Sequence, residues 1–113
     1  MGNPYGIERF GGTFSVGIFI PTIDSLPEII EASGSMPVLI DSGFRRGTDI
    51  VKALCMGAKG VAVGRPYLWG LGAFGEPGVE RVLELLRVEL QAAMQQVGAP
   101  SLKQLVPAMV RRA

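Results

Sequence analysis

The 113-residue chain contains no histidine and a single cysteine, Cys55. The first absence removes the side chain most used as a general base. The second excludes an internal disulfide and a cysteine metal cluster, and no metal site is expected. A lone thiol makes a reducing, cytoplasmic setting the default expectation. Charge is scarce as well. Charged residues make up 19% of the chain against 48% hydrophobic ones, which excludes a disordered polyelectrolyte. The net charge is +1 and the basic residues are scattered, so no global field attracts nucleic acid. The longest uncharged stretch, 10–23, is too short and too broken by glycine to span a bilayer. Residues 1–10 lack the basic-then-apolar order of a secretory signal, and Gly6 spoils a myristoylation pattern.

What is present suits one small domain. The mean hydropathy is positive, high for a free-standing soluble domain, as expected of a piece whose apolar faces meet further protein.

Residues 1–13, with four glycines and no clear period, read as loop or poorly ordered. Residues 14–20 are β-branched and aromatic and could form a strand that Pro21 ends. A helix is predicted over 22–32, with Ile23, Leu26, Ile29 and Ile30 as its apolar side. Ser25 and Glu28 have capping-box spacing, which would put Pro27 in the first turn, and Thr22 is the rival cap. Residues 37–41 form a short apolar run without alternation, the pattern of a strand covered on both faces. A helix follows over 47–56, with Gly57 as its stop, then a second buried-type strand over 60–64. Arg65 and Pro66 open a short glycine-interrupted helical piece over 67–74. The clearest helix spans 76–97, where Val79, Val82, Leu83, Leu86, Leu90, Ala93, Met94 and Val97 make one stripe. A last short helix is expected near 102–105.

Apolar strands alternating with helices imply parallel β-α-β units and an α/β class. Both an open doubly wound sheet and part of a (β/α)₈ barrel fit. Two features favour the barrel. A short extra helix follows the final strand before the main helix, as at the phosphate site of many barrels. No Gly-x-Gly-x-x-Gly follows a first strand.

The chemistry lies at two strand ends. After 37–41 comes Ser42-Gly43-Phe44-Arg45-Arg46-Gly47, and after 60–63 comes Gly64-Arg65-Pro66. In a parallel barrel such ends lie side by side at one mouth. Backbone N–H groups of Gly43 and Gly64 could approach a phosphate closely, because no Cβ stands in the way. Pro66 suits the first turn of the next helix, whose dipole favours an anion. Arg45 and Arg65 offer planar, permanently charged forks. Asp41, an acceptor, suits a polyol hydroxyl beside the phosphate. Each half is weak alone, since arginine doublets are usually solvated and Gly-Arg-Pro after a strand is often only a turn.

The run from Ile40 to Leu86, with D-S-G-F-R-R-G-x-D-I-V-K-A-L followed by G-R-P after the next strand, resembles the C-terminal third of the FMN-dependent α-hydroxy-acid oxidases and dehydrogenases. That family includes glycolate and lactate oxidases and mandelate dehydrogenase, and the Ser-Gly-Phe variant is most similar to the bacterial mandelate enzyme. With the helix TIDSLPEI, the resemblance covers 22–105. It implies a partial (β/α)₈ TIM barrel over 21–113, preceded by a divergent segment 1–20. It further implies FMN as cofactor, with Asp41 on the ribityl chain and Gly43, Arg45, Gly64 and Arg65 on the phosphate.

The same resemblance exposes what is missing. The family's chemistry uses a histidine base and a substrate-clamping arginine in a Ser-Asn-His-Gly-Gly-Arg-Gln motif just before the Thr-Ile-Asp helix. The only candidate here is 8–14, where Phe10 and Thr13 would replace them, and Phe10 cannot take a proton. No catalytic residue is therefore assigned. The resemblance implies the FMN-binding portion of an enzyme that oxidises a 2-hydroxy acid to a 2-oxo acid, inactive as this chain alone. A non-catalytic flavin- or phosphate-binding module that completes a barrel with a partner, and self-associates through exposed edges, is the alternative. A barrel like IMP dehydrogenase is a third possibility, disfavoured by the long match. Cys55 reads as a small buried hydrophobe, and Tyr67, Leu68 and Trp69 as packing at the barrel mouth. Glu76, Glu80 and Glu84 read as a solvated helix face, and Arg46 as a surface or ion-paired residue.

Overall fold

A computed structural model describes residues 21–111. The strand expected over 14–20 and the segment 1–20 lie outside them. The first helix, α1 (Thr22–Ser33), takes Pro21 as its N-cap: the Pro21 carbonyl accepts from Asp24 N at 2.9 Å and Ser25 N at 3.3 Å. The chain thus enters helix at Thr22, and neither Ser25 nor Thr22 caps it. Both residues are buried, and neither hydroxyl finds a hydrogen-bond partner. Pro27 accordingly lies inside the helix rather than in its first turn, where it withholds one ladder hydrogen bond.

Strand β1 (Leu39–Ile40) pairs in parallel with β2 (Gly60–Val61), Leu39 opposite Gly60 and Ile40 opposite Val61. Two further bonds extend the ladder, Lys59 N to the Val38 carbonyl at 2.8 Å and Ala62 N to that of Ile40 at 2.9 Å. The regular strands are shorter than the sequence runs. Between them α2 (Gly47–Cys55) makes the crossover, and Gly57, at φ 112°, ends it as expected. The parallel β-α-β unit read from the sequence is therefore present.

Two apolar clusters meet at α2. Leu26, Ile40, Phe44, Ala53 and Ala58 fill the space between α1, the strands and one side of α2. Val51 and Cys55, one turn apart and so on its opposite side, pack with Ala93, Ala99 and Leu105.

After β2 the chain enters α3 (Arg65–Phe74), which starts two residues earlier than expected because Arg65 and Pro66 are already helical. Gly75, at φ 66°, turns it into α4 (Glu76–Val97), whose bounds match the sequence reading. The two helices cross at Gly70 and Gly78: a Cβ on either would overlap the other's backbone. Only glycine permits that approach. In the α4 stripe Leu86 and Ala93 are buried, but Leu83 and Val97 are exposed, because α3 and α2 cover one side only. Two 3₁₀ turns, Leu102–Gln104 and Pro107–Met109, finish the described chain. No helix among the described residues is long and apolar enough to cross a membrane.

Candidate functional site

The two strand ends lie beside each other because β1 and β2 are parallel neighbours. Past β1 the backbone turns sharply through two successive left-handed residues, Ser42 at φ 77° and Gly43 at φ 86°. A non-glycine residue there is costly, and such strain tends to gather at working sites. The Ser42 hydroxyl donates to Asp41 Oδ1 at 3.3 Å. Phe44, 4% exposed, then drops into the core and fixes the loop, with burial worth about 1.5–3 kcal/mol.

The carboxylate of Asp49 closes the loop by accepting from Arg45 N at 3.2 Å and Arg46 N at 3.1 Å. It thereby satisfies donors at the start of α2, as an acidic residue in a first turn should.

The two arginines of the doublet have different fates. Arg46 turns away: its Nε donates to both oxygens of Glu89 on α4, at 2.9 and 3.0 Å. The same carboxylate accepts from Gly47 N at 2.8 Å. These bonds hold the Glu89 carboxyl below the usual range, the Arg46 hydrogen bond first and the Gly47 N–H second. The sequence expectation of an ion-paired Arg46 is met. Arg45 instead donates from Nη1 to the Phe44 carbonyl at 2.9 Å, and its guanidinium carbon lies 5.1 Å from the centre of the Trp69 ring.

Asp41, Gly43, Arg45, Gly64 and Arg65 all line one cleft of about 520 Å³, together with Leu68. The geometric convergence read from the sequence is thus real. Gly64 is the N-cap of α3, and a Cβ built there meets nothing within 4 Å. Among the described residues, no hydrogen bond engages the backbone N–H of Gly43 or Gly64. The first turn of α3 adds the donor-rich end of a helix. The cleft is therefore lined by two arginines, a helix N-terminus, two glycines with unengaged backbone N–H groups and one acidic residue. That donor set matches a phosphate ester with a hydroxylated chain attached. A larger groove of about 760 Å³, bounded by Ile23, Pro27, Met56 and Met109, contains none of these residues.

Two residues beside the site were not singled out as such in the sequence; with Arg45 they border a smaller adjoining hollow of about 200 Å³ rather than the cleft itself. Trp69, expected to pack the barrel mouth with Tyr67 and Leu68, is 58% exposed in this chain and lies against Arg45. Glu89 carries no local signal, since its partners are more than forty positions earlier in the chain. No group of three or more His, Cys, Asp or Glu among the described residues is placed to hold a metal ion.

The chain's similarities run in one direction. The model of the FMN-dependent dehydrogenase family matches residues 15–112. The 2-hydroxyacid oxidase 1 of Mus musculus is 50% identical over 92 residues, 80% of this chain and 25% of the relative. The L-lactate oxidase of a Nostoc species is 51% identical over 85 residues, 74% of this chain and 23% of the relative. Among solved structures, a soluble mutant of the membrane-associated (S)-mandelate dehydrogenase of Pseudomonas putida superposes with a TM-score of 0.80 at 45% identity, over 83% of this chain and 27% of that one. The chain thus spans about a quarter of the length of the curated relatives it matches. It belongs to the FMN-dependent dehydrogenase family, whose cofactor is FMN.

Proposed function

We propose that this chain is the FMN-phosphate corner of a 2-hydroxy-acid oxidoreductase, with β1 and β2 as neighbouring strands of a (β/α)₈ barrel. The observation that carries the reading is the shared cleft of Asp41, Gly43, Arg45, Gly64 and Arg65. The Gly43 and Gly64 backbones, the two arginine forks and the first turn of α3 hold the phosphate dianion. Asp41, at the rim, accepts a hydrogen bond from a ribityl hydroxyl. When bound, FMN supplies the two-electron acceptor that converts a 2-hydroxy acid to a 2-oxo acid. The 113 residues contain no histidine to take a proton from the substrate hydroxyl, so this chain alone binds without turning over.

The test has two arms. Titration with FMN and with riboflavin, which lacks the phosphate, should show clear preference for FMN; equal affinities would remove the phosphate reading. Flavin reduction assayed with lactate, glycolate and mandelate should give no turnover, and substrate-dependent reduction would refute inactivity.

A second reading is a module that completes a barrel with a partner chain. It is favoured by apolar side chains left open on and before β1, Leu39 at 73% and Met36 at 70% exposed. Sedimentation with and without FMN decides it, and a monomer in both conditions would argue against it.

A further inference from the structure

Arg45 has a long side chain with many rotamers, and ordering it on a ligand costs affinity. In this chain it is already ordered. Its Nη1 is tied to the carbonyl of Phe44, whose ring is anchored in the core, and its guanidinium carbon lies 5.1 Å from the centre of the Trp69 ring. Trp69 belongs to α3, one turn after Arg65, so the ring rides on the same rigid element that carries the second arginine of the cleft. Within this chain Trp69 is 58% exposed, and its ring lies against Arg45. A cation over a ring is attracted through its face. Arg45 itself lines the phosphate cleft, whereas Trp69 borders an adjoining hollow of about 200 Å³ that Arg45 also lines.

We infer that Trp69 is a positioning residue for phosphate binding, which aims Arg45 into the cleft without touching the ligand; this rests on the phosphate reading of the cleft given above. Arg46 could not substitute, because Glu89 holds it on the far side.

The test uses the full chain and compares FMN with riboflavin in the wild type, Trp69→Leu and Trp69→Phe. Leucine keeps apolar bulk and removes the ring face; phenylalanine restores the face. Trp69→Leu should bind FMN about two- to five-fold more weakly, the worth of one exposed cation–ring contact. Trp69→Phe should recover most of that loss, and riboflavin affinity should be the same in all three. A purely structural role would weaken both flavins equally and would overturn the inference, as would an unchanged FMN affinity in Trp69→Leu. A wild type that does not prefer FMN to riboflavin defeats the cleft reading itself, and the inference with it.

Discussion

Arg46 and Glu89, on opposite sides of the α2–α4 junction, are joined by one Nε that donates to both carboxylate oxygens, with the Gly47 N–H as a third donor on the same group. This clamp fixes where α2 begins, and with it the loop that carries Gly43 and Arg45. Its pH dependence has a definite sign. Glu89's folded-state carboxyl is held below its ordinary value by Arg46 and then by Gly47. The clamp's stabilisation is therefore complete above the ordinary glutamate value, about 4.3, and is lost as pH falls from there through the folded value. Glu89→Gln should melt below the wild type at pH 7, and the gap should close on acidification. A gap that is constant from pH 7 to pH 3 would show that the charged pair contributes nothing.

The close approach behind the clamp makes a separate prediction. A Cβ at Gly47 would overlap the backbone of Glu89 and Leu90, atoms that cannot swing away. Gly47→Ala should therefore cost about 1–3 kcal/mol or more of unfolding free energy in chemical denaturation, the range for overpacking. A change within about 0.5 kcal/mol, the size typical of a neutral surface site, would mean that α2 and α4 are not as close as described.

Much of this arrangement was legible in the sequence, and the reason differs by element. The bounds of α4 could be read because proline and glycine punctuate a long apolar stripe. The convergence of Gly43–Arg45 with Gly64–Arg65 followed from parallel strands having neighbouring ends, a rule of topology rather than of local pattern. The helix expected over 22–32 begins at Thr22 as read, but its cap was misread: Ser25 and Glu28 have capping spacing and Thr22 was the rival, yet the Pro21 carbonyl takes the first helical bonds. Glu89 was invisible for a different reason. One glutamate among several on a long helix becomes a clamp only when a distant loop meets it. Trp69 was half-legible: with α3 starting at Arg65, its spacing puts it on the arginine's side, but the sequence placed that start two residues later.

Gly64 separates stability from binding. Its φ of −113° lies outside the left-handed region, and an added Cβ meets no protein atom within 4 Å. Gly64→Ala should thus fold with stability within about 0.5 kcal/mol of the wild type. The same methyl would stand in the cleft where a phosphate approaches the backbone, so FMN affinity should drop while the denaturation midpoint holds. If FMN binding is unchanged in Gly64→Ala, the phosphate does not approach that backbone.

The two arginines of the cleft can be tested against each other. A charge-assisted hydrogen bond is worth about 1.5–3 kcal/mol, so Arg45→Ala and Arg65→Ala should each lower FMN affinity by roughly ten- to a hundred-fold. Riboflavin affinity should move little in either, and raised salt should weaken FMN binding in the wild type more than in the variants. A variant that loses both flavins alike would point to damage in the loop rather than to a lost phosphate ligand. Arg46→Ala is the contrasting case. Its side chain belongs to the Glu89 clamp, so it should lower the melting temperature while keeping the preference for FMN over riboflavin.

Cys55 tests the second core cluster, which ties the end of the chain to α2 and α4. The thiol is 1% exposed, among Val51, Ala93, Ala99 and Leu105. Burial pushes its pKa up, opposed only in part by the Val106 backbone N–H. Because the thiolate is the reactive form, both access and ionisation suppress its chemistry. A disulfide reagent at pH 8 should therefore modify the native chain far more slowly than the chain in denaturant. Reaction should then follow opening of the segment after α4, which removes Ala99 and Leu105 from the thiol. Replacing Leu105 with alanine should loosen that cover and speed modification while leaving the loop at Arg45 intact. Native Cys55 reacting at the rate of an unfolded thiol would show that this segment does not pack against α2.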